Sequence, residues 1–496
     1  GQNAMKQVLQ ELGAGRTTIA DVPVPAVPAG GVLIATSRSL ISAGTERMLV
    51  EFSRAGWIEK ARQQPEKVRQ VIDKVRTDGP LATFEAVRGQ LNRDLPLGYC
   101  NVGTVIATDA SVSEFSVGDR VVSNGAHAEY VAVPRNLCAR VPEDVSDDDA
   151  AYTVLASIGL QGVRLAAPTI GETFAVIGLG LIGLLTVQIL RANGCRVIGI
   201  DPDSKKCELA RDFGAATVDV ANGEDPIEYA QSYSRGRGVD GVLIAASTKS
   251  DNVVSQAAGM CRKRGRIVLV GVTGLKLNRS DFYEKELTFQ VSCSYGPGRY
   301  DKTYEEAGQD YPVGFVRWTE QRNFEAVLDM LEAGSLQLAP LTTHRFPIAD
   351  AGQAYDMIAA GTEAYLGVIL QYSEETAERD PRRTIVIESR ASSMGRAAGQ
   401  PVVGVIGSGN YASRILIPAL VAGGAELLGI ASSGGQTAAS VGRKFGFGTV
   451  TTDASVLLGD AHINSIVIAT RHNSHAGLVV DALAIGKNVF VEKPLA

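Results

Sequence analysis

The chain has 496 residues, of which 45% are hydrophobic and 21% are charged, and its formal net charge is −6. This length predicts about three domains, and the composition is that of a globular protein rather than a disordered or fibrous one. The negative charge excludes the basic field that draws proteins to nucleic acid or anionic lipid.

The six cysteines form no CxxC pair. This pattern is typical of reduced thiols and argues against a disulfide framework or a closed zinc site. The longest apolar run covers residues 174–190 and approaches the length of a membrane helix. The three glycines within it indicate a buried strand, a tight turn and a helix instead. We therefore expect a cytoplasmic protein without a membrane span.

The first half of the chain divides into two regions. Residues 5–150 predict a β-rich domain, because short β-branched runs alternate there with Pro, Gly and Asp. Helical spacing over residues 46–91 predicts helices inserted into that domain. Residues 151–295 alternate strand and helix, which is the pattern of a parallel sheet covered by helices on both faces.

The second half predicts a return to the first domain and then a separate module. Residues 296–371 are mixed and end on an apolar strand. Residues 372–400 are rich in charge, Ser and Gly, which predicts a linker. Residues 401–496 alternate strand and helix again, so the fold class is α/β with a second, smaller nucleotide-binding unit.

A glycine-rich turn follows a buried strand and opens a helix; it reads Gly178-Leu179-Gly180-Leu181-Ile182-Gly183. In this GxGxxG motif Gly178 permits the tight turn, Gly180 lets the backbone approach a pyrophosphate, and Gly183 lets the helix pack on the strand. Asp201 ends the next strand, where a carboxylate can bind the ribose hydroxyls and repel a 2′-phosphate. The motif predicts a doubly wound Rossmann domain that prefers NAD(H) to NADP(H).

Further motifs surround this turn in a fixed order: Gly44-Thr45-Glu46, Val117-Gly118-Asp119-Arg120-Val121, Ala128-Glu129-Tyr130 and Phe346-Pro347-Ile348-Ala349-Asp350-Ala351. With them, residues 5–371 resemble the medium-chain dehydrogenase/reductase superfamily, which includes the zinc alcohol dehydrogenases. The resemblance implies a GroES-like substrate domain built from both ends of the segment, and an active site in the cleft against the nucleotide domain. It also implies a homodimer.

The sequence departs from the zinc members at their ligand positions. Ala43 stands where their first cysteine lies, and Tyr99 and Cys100 replace the His-Glu pair. The position of a further ligand is near Leu155. Catalytic zinc requires three protein ligands, so we expect a metal-free site.

Without a metal, another group must polarise the carbonyl or move the proton. Tyr99 is a candidate proton donor, although it can equally fill the space that the metal left. The resemblance makes Thr45 the hydroxyl that relays the substrate proton. His127 lies on a strand expected to line the cleft, or is an ordinary hydrogen-bonded residue, and Glu46 is expected to be a structural acceptor.

A glycine loop after the last strand of the nucleotide domain carries candidate substrate contacts. Tyr295, Arg299 and Tyr300 combine two phenols with a cation, and Arg317 beside Trp318 adds a second cation and a stacking face. These groups suit a hydroxyl-rich or anionic substrate. A helix-capping loop and a packed surface tryptophan explain them equally well.

The C-terminal module has its own strand and turn, which reads Gly407-Ser408-Gly409-Asn410-Tyr411-Ala412, and it ends near Glu492-Lys493-Pro494. These motifs resemble the nucleotide-binding half of the Gfo/Idh/MocA family, in which the lysine matching Lys493 assists proton transfer at the nicotinamide. No acid follows the next strand, so NAD and NADP both remain open. The family's second domain does not follow in this sequence, so we expect an incomplete half-site.

Three functions are compatible with these patterns. The leading hypothesis is zinc-independent hydride transfer between NAD(H) and a secondary alcohol or ketone, with a carbohydrate favoured by analogy to the second family. One alternative is an enoyl or quinone-type alkene reductase, which would need an apolar cleft. The other is a non-catalytic NAD sensor or scaffold.

Overall fold

The computed structural model describes residues 4–12, 14–54, 94–387 and 399–495. Its N-terminal part is β-rich, as predicted from the short β-branched runs. The elements there are β1 Met5–Glu11, β2 Arg16–Val22, β3 Gly31–Ile41, α1 Ala43–Arg54, β4 Asp94–Pro96, β5 Asn101–Thr108, β6 Arg120–Ser123, β7 Tyr130–Pro134, β8 Cys138–Arg140 and α2 Asp147–Ala150. Helix α1 begins the predicted helical insertion, and residues 55–91 of that insertion lie outside the described residues.

The next region alternates helix and strand. Its elements are α3 Thr153–Ala166, β9 Thr173–Ile177, α4 Leu181–Ala192, β10 Arg196–Asp201, α5 Ser204–Asp212, β11 Ala216–Asp219, α6 Pro226–Tyr233, β12 Val239–Ile244, α7 Asn252–Met260, β13 Cys261–Leu269, α8 Arg279–Tyr283 and β14 Thr288–Val291. The strands form a parallel sheet in the order β11-β10-β9-β12-β13-β14. This is the doubly wound order, in which ligands bind where the order reverses, here between β9 and β12.

The long apolar run is a strand, a turn and a helix, as predicted. Strand β9 is buried over its whole length and helix α4 follows it after the glycine turn. Among the described residues, none of the helices combines the length and the apolar character that crossing a membrane requires.

The chain then returns to the first domain through α9 Lys302–Glu305, α10 Glu320–Glu332, β15 Thr342–Pro347, α11 Ala351–Ala360 and β16 Gly367–Gln371. Strand β16 pairs antiparallel with β3, with Ile369 opposite Leu40. Both ends of the segment therefore share one sheet, with the order β15-β16-β3-β5-β6-β8 and β7 paired to β3. A split domain is what the resemblance implies, and a further sheet has the order β2-β1-β4.

The C-terminal module is a second parallel sheet with one added strand. Its elements are β17 Thr384–Val386, β18 Val402–Ile406, α12 Ile417–Ala422, β19 Glu426–Ala431, α13 Gln436–Phe445, β20 Thr449–Thr451, α14 Ala454–Gly459, β21 Ser465–Ile468, α15 His475–Ala484 and β22 Asn488–Val491. The order is β17-β20-β19-β18-β21-β22. The central part matches the first nucleotide domain, so the order again reverses beside the first strand, β18.

Two local features of this module differ from the sequence prediction. The helix expected there from the alternation of strand and helix begins as a π-turn at Ala412–Leu416, because Pro418 has no N–H to donate to the preceding turn. Strand β17 lies inside the segment predicted to be a linker and pairs antiparallel with β20. Residues 388–398 lie outside the described residues.

The first domain docks on the second module through the chain that follows β2. The Val24 N–H donates to the Arg382 carbonyl at 2.9 Å, and the Ala26 N–H donates to the Ser433 carbonyl at 3.0 Å. The Thr452 hydroxyl donates to the Val24 carbonyl at 2.6 Å. The two modules are thus joined by main-chain hydrogen bonds in addition to the connecting chain.

Replacing Thr452 by valine is expected to loosen this docking. Valine keeps the shape but leaves the buried Val24 carbonyl without its donor, which costs about 1–3 kcal/mol. Amide hydrogen exchange at Val24 and Ala26 should accelerate by about tenfold or more, while exchange in β9 should not change. Thr449→Val in the same module is the control, and unchanged exchange at Val24 would refute a role for the Thr452 hydroxyl.

Candidate active site

A cavity of about 510 Å³ lies between the first domain and the nucleotide domain. It opens at the carboxyl ends of the parallel strands, where doubly wound sheets bind ligands. Its lining comprises Ser42, Ala43, Gly44, Thr45, Arg47, Leu155, Ile158, Gly178, Gly180, Leu181, Ile182, Gly183, Asp201, Pro202, Lys206, Ala245, Ala246, Ser247, Val270, Gly271, Ser292, Ser294, Tyr365 and Leu366. The cavity therefore brings the predicted cofactor turn to the same space as Thr45.

The three glycines of the turn have three different surroundings. Gly178 has φ +91°, and a Cβ there would lie 2.6 Å from the Ala246 nitrogen. A Cβ on Gly183 would overlap the Gly178 carbonyl, so the helix packs directly on the turn. A Cβ on Gly180 would meet nothing within 4 Å. Gly180 is thus not required by the protein's own packing, as expected where a phosphate approaches the backbone.

Asp201 ends β10 and lines the same cavity. Its side chain accepts hydrogen bonds from the Leu179 N–H at 2.8 Å and from the Asp203 N–H at 2.9 Å. These bonds hold the carboxylate beside the turn, where it can accept from ribose hydroxyls. Lys206 also lines this end of the cavity.

Tyr99 is fully buried behind the wall formed by Ser42 and Thr45. Its hydroxyl donates to the Ser42 Oγ at 2.6 Å and is also hydrogen-bonded to the Thr45 side chain. Burial, and then the neighbouring Cys100, keep the pKa of Tyr99 well above its ordinary value, so the phenol stays protonated. Ser42 and Thr45 face the cavity, so Tyr99 reaches it through their hydroxyls.

His127 lies deeper than the sequence predicted, with no exposed surface. Its Nε2 lies 3.0 Å from the Glu46 Oε1 and its Nδ1 lies 2.7 Å from the Ser39 Oγ. Glu46 also accepts from the Tyr355 hydroxyl at 2.7 Å. His127 thus belongs to a buried network beneath the cavity wall and does not line the cavity, and Glu46 is the hydrogen-bond acceptor that was expected.

The positions that hold zinc in the related dehydrogenases carry a donor set that does not fit this metal. Ala43 and Leu155 line the cavity and offer no ligand atom. Cys100 is buried, and burial raises the pKa of its thiol well above the ordinary value, so the zinc-binding thiolate is disfavoured. In the described part of the chain no group of three or more His, Cys, Asp or Glu side chains is arranged to hold a metal ion.

Tyr295 and Arg299, predicted as substrate contacts, are part of a buried cluster. Tyr295 has no exposed surface. Arg299 forms an ion pair with Glu305 at 2.6 Å, and its guanidinium lies 5.2 Å from the Tyr295 ring centroid. Neither residue is among those lining the cavity. Their partners include Asn124, Glu305 and Asn323, so the loop is held by side chains from the first domain and from the helices that follow it.

The other two predicted substrate residues lie at the surface of the same region. Tyr300 is 40% exposed, and the Arg299 guanidinium lies 4.3 Å from its ring centroid. Arg317 stacks on Trp318 at 3.8 Å, and Arg164 stacks on the same ring at 3.5 Å. Trp318 is thus stacked with two arginines, and Tyr300 and Arg317 are also outside the cavity lining.

Several polar residues of the cavity wall were not predicted, and Ser42 and Ser247 are among them. Ser292 and Ser294 follow β14, Arg47 follows Thr45 and Glu46 on α1, and Tyr365 precedes β16. Arg47 forms an ion pair with Glu51 at 2.6 Å. The only sequence signal for Ser292 and Ser294 was their place directly after a parallel strand, where binding residues concentrate.

The second module repeats the glycine pattern of the first. Gly407 has φ +108°, and a Cβ on Gly409 would meet nothing within 4 Å. Ala412 is buried where the third glycine of the motif would stand. Lys493 follows β22, and its N–H donates to the Glu492 Oε2 at 3.0 Å.

His475 connects the two loops at that edge of the sheet. Its Nδ1 lies 2.7 Å from the Pro494 carbonyl, and its Nε2 lies 3.0 Å from the Thr470 carbonyl. The His472 ring packs edge-on against it, with a centroid separation of 5.5 Å. His472 lies in the turn after β21 and His475 begins α15, so both histidines lie at the carboxyl ends of the strands.

Two known families match the chain. The family of zinc-binding dehydrogenases matches residues 182–309, and the oxidoreductase family with an NAD-binding Rossmann fold, Gfo/Idh/MocA, matches residues 402–496. Relatives include D-guloside 3-dehydrogenase of Escherichia coli K12, which is 28% identical over 281 residues, 55% of this chain and 75% of that enzyme. L-threonine 3-dehydrogenase of Bacillus velezensis is 23% identical over 366 residues, 72% of this chain and 96% of that enzyme.

Solved structures show the same fold. Galactitol-1-phosphate dehydrogenase from Escherichia coli superposes with a TM-score of 0.57 at 21% identity, and the match covers 74% of this chain and 100% of that one. The first part of the chain therefore has the fold of these dehydrogenases, and residues 402–496 match the Gfo/Idh/MocA nucleotide-binding family. It is an NAD(P)-dependent oxidoreductase.

Exchanging Gly180 and Gly183 for alanine should separate cofactor binding from folding. Gly180→Ala should leave the melting temperature of the ligand-free protein unchanged and weaken NADH binding by about tenfold or more, because the methyl group enters the pyrophosphate space. Gly183→Ala should lower the melting temperature instead, since its methyl overlaps the Gly178 carbonyl. Thermal unfolding and NADH fluorescence titration measure both. Normal NADH affinity in Gly180→Ala would argue against a phosphate at this turn.

The buried cluster around Arg299 predicts a pH-dependent stability. Burial, and then the neighbouring Glu305, raise the pKa of Glu320 to about 10. The folded protein therefore holds a proton that the unfolded chain releases at its ordinary, lower pKa. The contribution of Glu320 to the free energy of unfolding therefore falls as the pH rises from the ordinary value of 4.5 toward about 10. The loss is up to about 1.4 kcal/mol per pH unit.

Glu320→Gln removes this dependence. Denaturant unfolding at about pH 6 and about pH 8 should show a shallower loss of stability in the variant than in the wild type. Glu332→Gln, at the exposed end of the same helix, is the control. Parallel pH profiles for wild type and Glu320→Gln would contradict the assignment.

Proposed function

We propose that the first module transfers hydride between NAD(H) and a secondary alcohol or ketone of a sugar or polyol, without zinc. The observation that carries this proposal is that one cavity contains both the glycine turn and the hydroxyls of Ser42 and Thr45. A hydride transfer needs cofactor and substrate in contact, and this cavity is lined by both domains. Asp201 at its far end supports NAD(H) as the cofactor, because a carboxylate there repels a 2′-phosphate.

We assign proton donation to the substrate oxygen to the hydroxyl wall, which consists of the Ser42 and Thr45 side chains. Ser42 accepts a hydrogen bond from Tyr99, so its own hydrogen can donate to a substrate oxygen in the cavity. Thr45 lines the cavity beside it and is also bonded to Tyr99. When hydride reaches the carbonyl carbon, the oxygen gains negative charge, and donors already in place stabilise it. Tyr99 then acts through Ser42 and Thr45 as a positioning residue.

The donor set at the positions of the zinc ligands supports a zinc-free reaction. Ala43 and Leu155 have no ligand atom, and burial raises the pKa of the Cys100 thiol. Hydrogen bonds from Ser42 and Thr45 take the place of the Lewis acid.

The carbohydrate assignment has two supports. Relatives and structural neighbours include D-guloside 3-dehydrogenase and galactitol-1-phosphate dehydrogenase. The described cavity wall that faces the substrate is rich in hydroxyl groups, which suits a polyol better than the apolar substrate of an alkene reductase.

The second module is proposed to bind NAD or NADP at the turn containing Gly407 and Gly409. Lys493 is its candidate for proton transfer. The homodimer expected from the resemblance stays a prediction.

The proposal is tested by NAD-linked turnover of D-sorbitol and galactitol with metal-analysed protein. NADH should bind more tightly than NADPH to the first module, zinc should be well below one equivalent, and turnover should persist after chelator treatment. Tyr99→Phe should lower kcat by about ten- to hundredfold, since a buried hydrogen bond to the donor wall is lost. Its NADH affinity should be unchanged.

Three outcomes would count against this function. Stoichiometric zinc, with activity lost to the chelator, would overturn the zinc-free reaction. Tight NADH binding with no turnover of any alcohol would favour a sensor. Loss of NADH binding in Tyr99→Phe would show that the phenol supports the fold of the cofactor site and has no role in the proton step.

A further inference from the structure

Two hydroxyl groups in the cavity wall are buried and have no partner. Ser292 and Ser294 follow β14, and each residue is 5% exposed. The Oγ atom of each has no hydrogen-bond partner within the described structure. Both residues line the cavity between the domains.

Hydroxyls in this state are unusual in a folded protein. Most buried polar side-chain atoms have a hydrogen-bond partner, and each unpartnered one destabilises the protein. Ser294 also has a left-handed backbone with φ +48°. Non-glycine residues in that conformation concentrate at binding sites. The two oxygens are themselves buried, and rotation about the Cα–Cβ bond of each serine would present its hydroxyl to a ligand in the cavity that the residue lines.

The strand order indicates which part of a bound dinucleotide would lie near Ser292 and Ser294. Asp201 ends β10 and marks the adenosine side of the cavity, and the glycine turn after β9 marks the pyrophosphate. Strands β12, β13 and β14 lie on the other side of β9. An extended dinucleotide across the reversal point therefore places its nicotinamide near the ends of β13 and β14. Ser292 and Ser294, which follow β14, lie at this end of the cavity.

Resting on the function proposed above, we propose that Ser292 and Ser294 bind hydroxyl groups of the substrate next to the reacting carbon. They would then select polyhydroxylated substrates over simple secondary alcohols. A site built to hydrogen-bond a hydroxyl discriminates strongly against the analogue that lacks it, because its own polar groups are then left unpaired. The residues predicted from the sequence, Tyr295 and Arg299, lie in the cluster behind this wall and hold the loop in place.

The nicotinamide carboxamide is the other hydrogen-bonding group at this end of the cavity. If the serines bind the carboxamide instead of the substrate, replacing them by alanine would weaken NADH binding itself. Substrate hydroxyls leave NADH affinity unchanged and alter only catalysis on polyols.

The test compares Ser292→Ala, Ser294→Ala and the double variant with the wild type. NADH affinity is measured by fluorescence titration, and kcat/KM is measured with D-sorbitol and with 2-butanol as probes. The double variant should lose about ten- to hundredfold in kcat/KM on D-sorbitol, the effect of two neutral hydrogen bonds, and should retain its activity on 2-butanol. Ser335→Ala, an exposed serine outside the cavity lining, is the control.

A second readout does not depend on turnover. Removing an unpartnered buried hydroxyl should leave the melting temperature of the ligand-free protein unchanged or raise it. Ser157→Ala, whose hydroxyl donates to the Thr153 carbonyl at 2.7 Å, should lower the melting temperature and serves as the contrasting case.

The outcomes separate this inference from the proposed function. Weaker NADH binding in the double variant, or equal losses on both alcohols, overturns the inference while leaving the reaction intact. If the wild type turns over neither probe, the proposed reaction on these alcohols fails. Calorimetric titration of D-sorbitol into the NADH complex then decides the inference. If the wild type binds D-sorbitol and the double variant does not, the inference is supported. If the wild type does not bind D-sorbitol, the inference is overturned.

Discussion

The substrate side of the cavity depends on one buried carboxylate. Glu46 has no exposed surface, and its oxygens accept from the Ser42 N–H at 2.6 Å and from the Tyr355 hydroxyl, and contact the His127 ring. A buried carboxylate is stable only with such partners. These partners come from the start of α1, from the chain before β7 and from α11, so Glu46 joins both ends of the split domain. The turn that carries Ser42 and Thr45 is fixed by this junction.

The parts of the site that the sequence predicts are those made by short stretches of chain. The glycine turn and Asp201 lie within 23 residues, and their spacing alone requires a strand, a turn and a helix. His127 is different, because its position depends on Glu46, which is 81 residues away. Tyr295 and Arg299 suggested a substrate contact by residue type, whereas partners on α9 and α10 fix them in the core. No pattern in the sequence distinguishes the unpartnered hydroxyls of Ser292 and Ser294 from other serines.

The docking of the second module has a consequence for its nucleotide site. The Ser433 carbonyl, which accepts from the Ala26 N–H, lies directly after β19, where the ribose of a cofactor on that sheet would bind. Gly435 has φ +75°, and a Cβ there would lie 2.5 Å from the Pro23 carbonyl. The first domain thus forms one wall of the loop that would select NAD or NADP, and this loop cannot rearrange without disturbing the chain after β2.

In the proposed function, the side chains at the zinc positions of the described chain and the hydroxyl wall are two aspects of one arrangement. A zinc site needs several sulfur, nitrogen or oxygen ligand atoms that point at a common centre. At the corresponding positions Ala43 and Leu155 provide an apolar surface, and Tyr99 holds Ser42 and Thr45 through its phenol. A bound metal draws charge from the substrate oxygen strongly, whereas hydroxyl donors must be oriented before the reaction to have a comparable effect. In the proposed reaction the buried network from Glu46 to Ser42 would supply that orientation, because the Ser42 N–H donates to the Glu46 carboxylate and fixes the backbone at the donors.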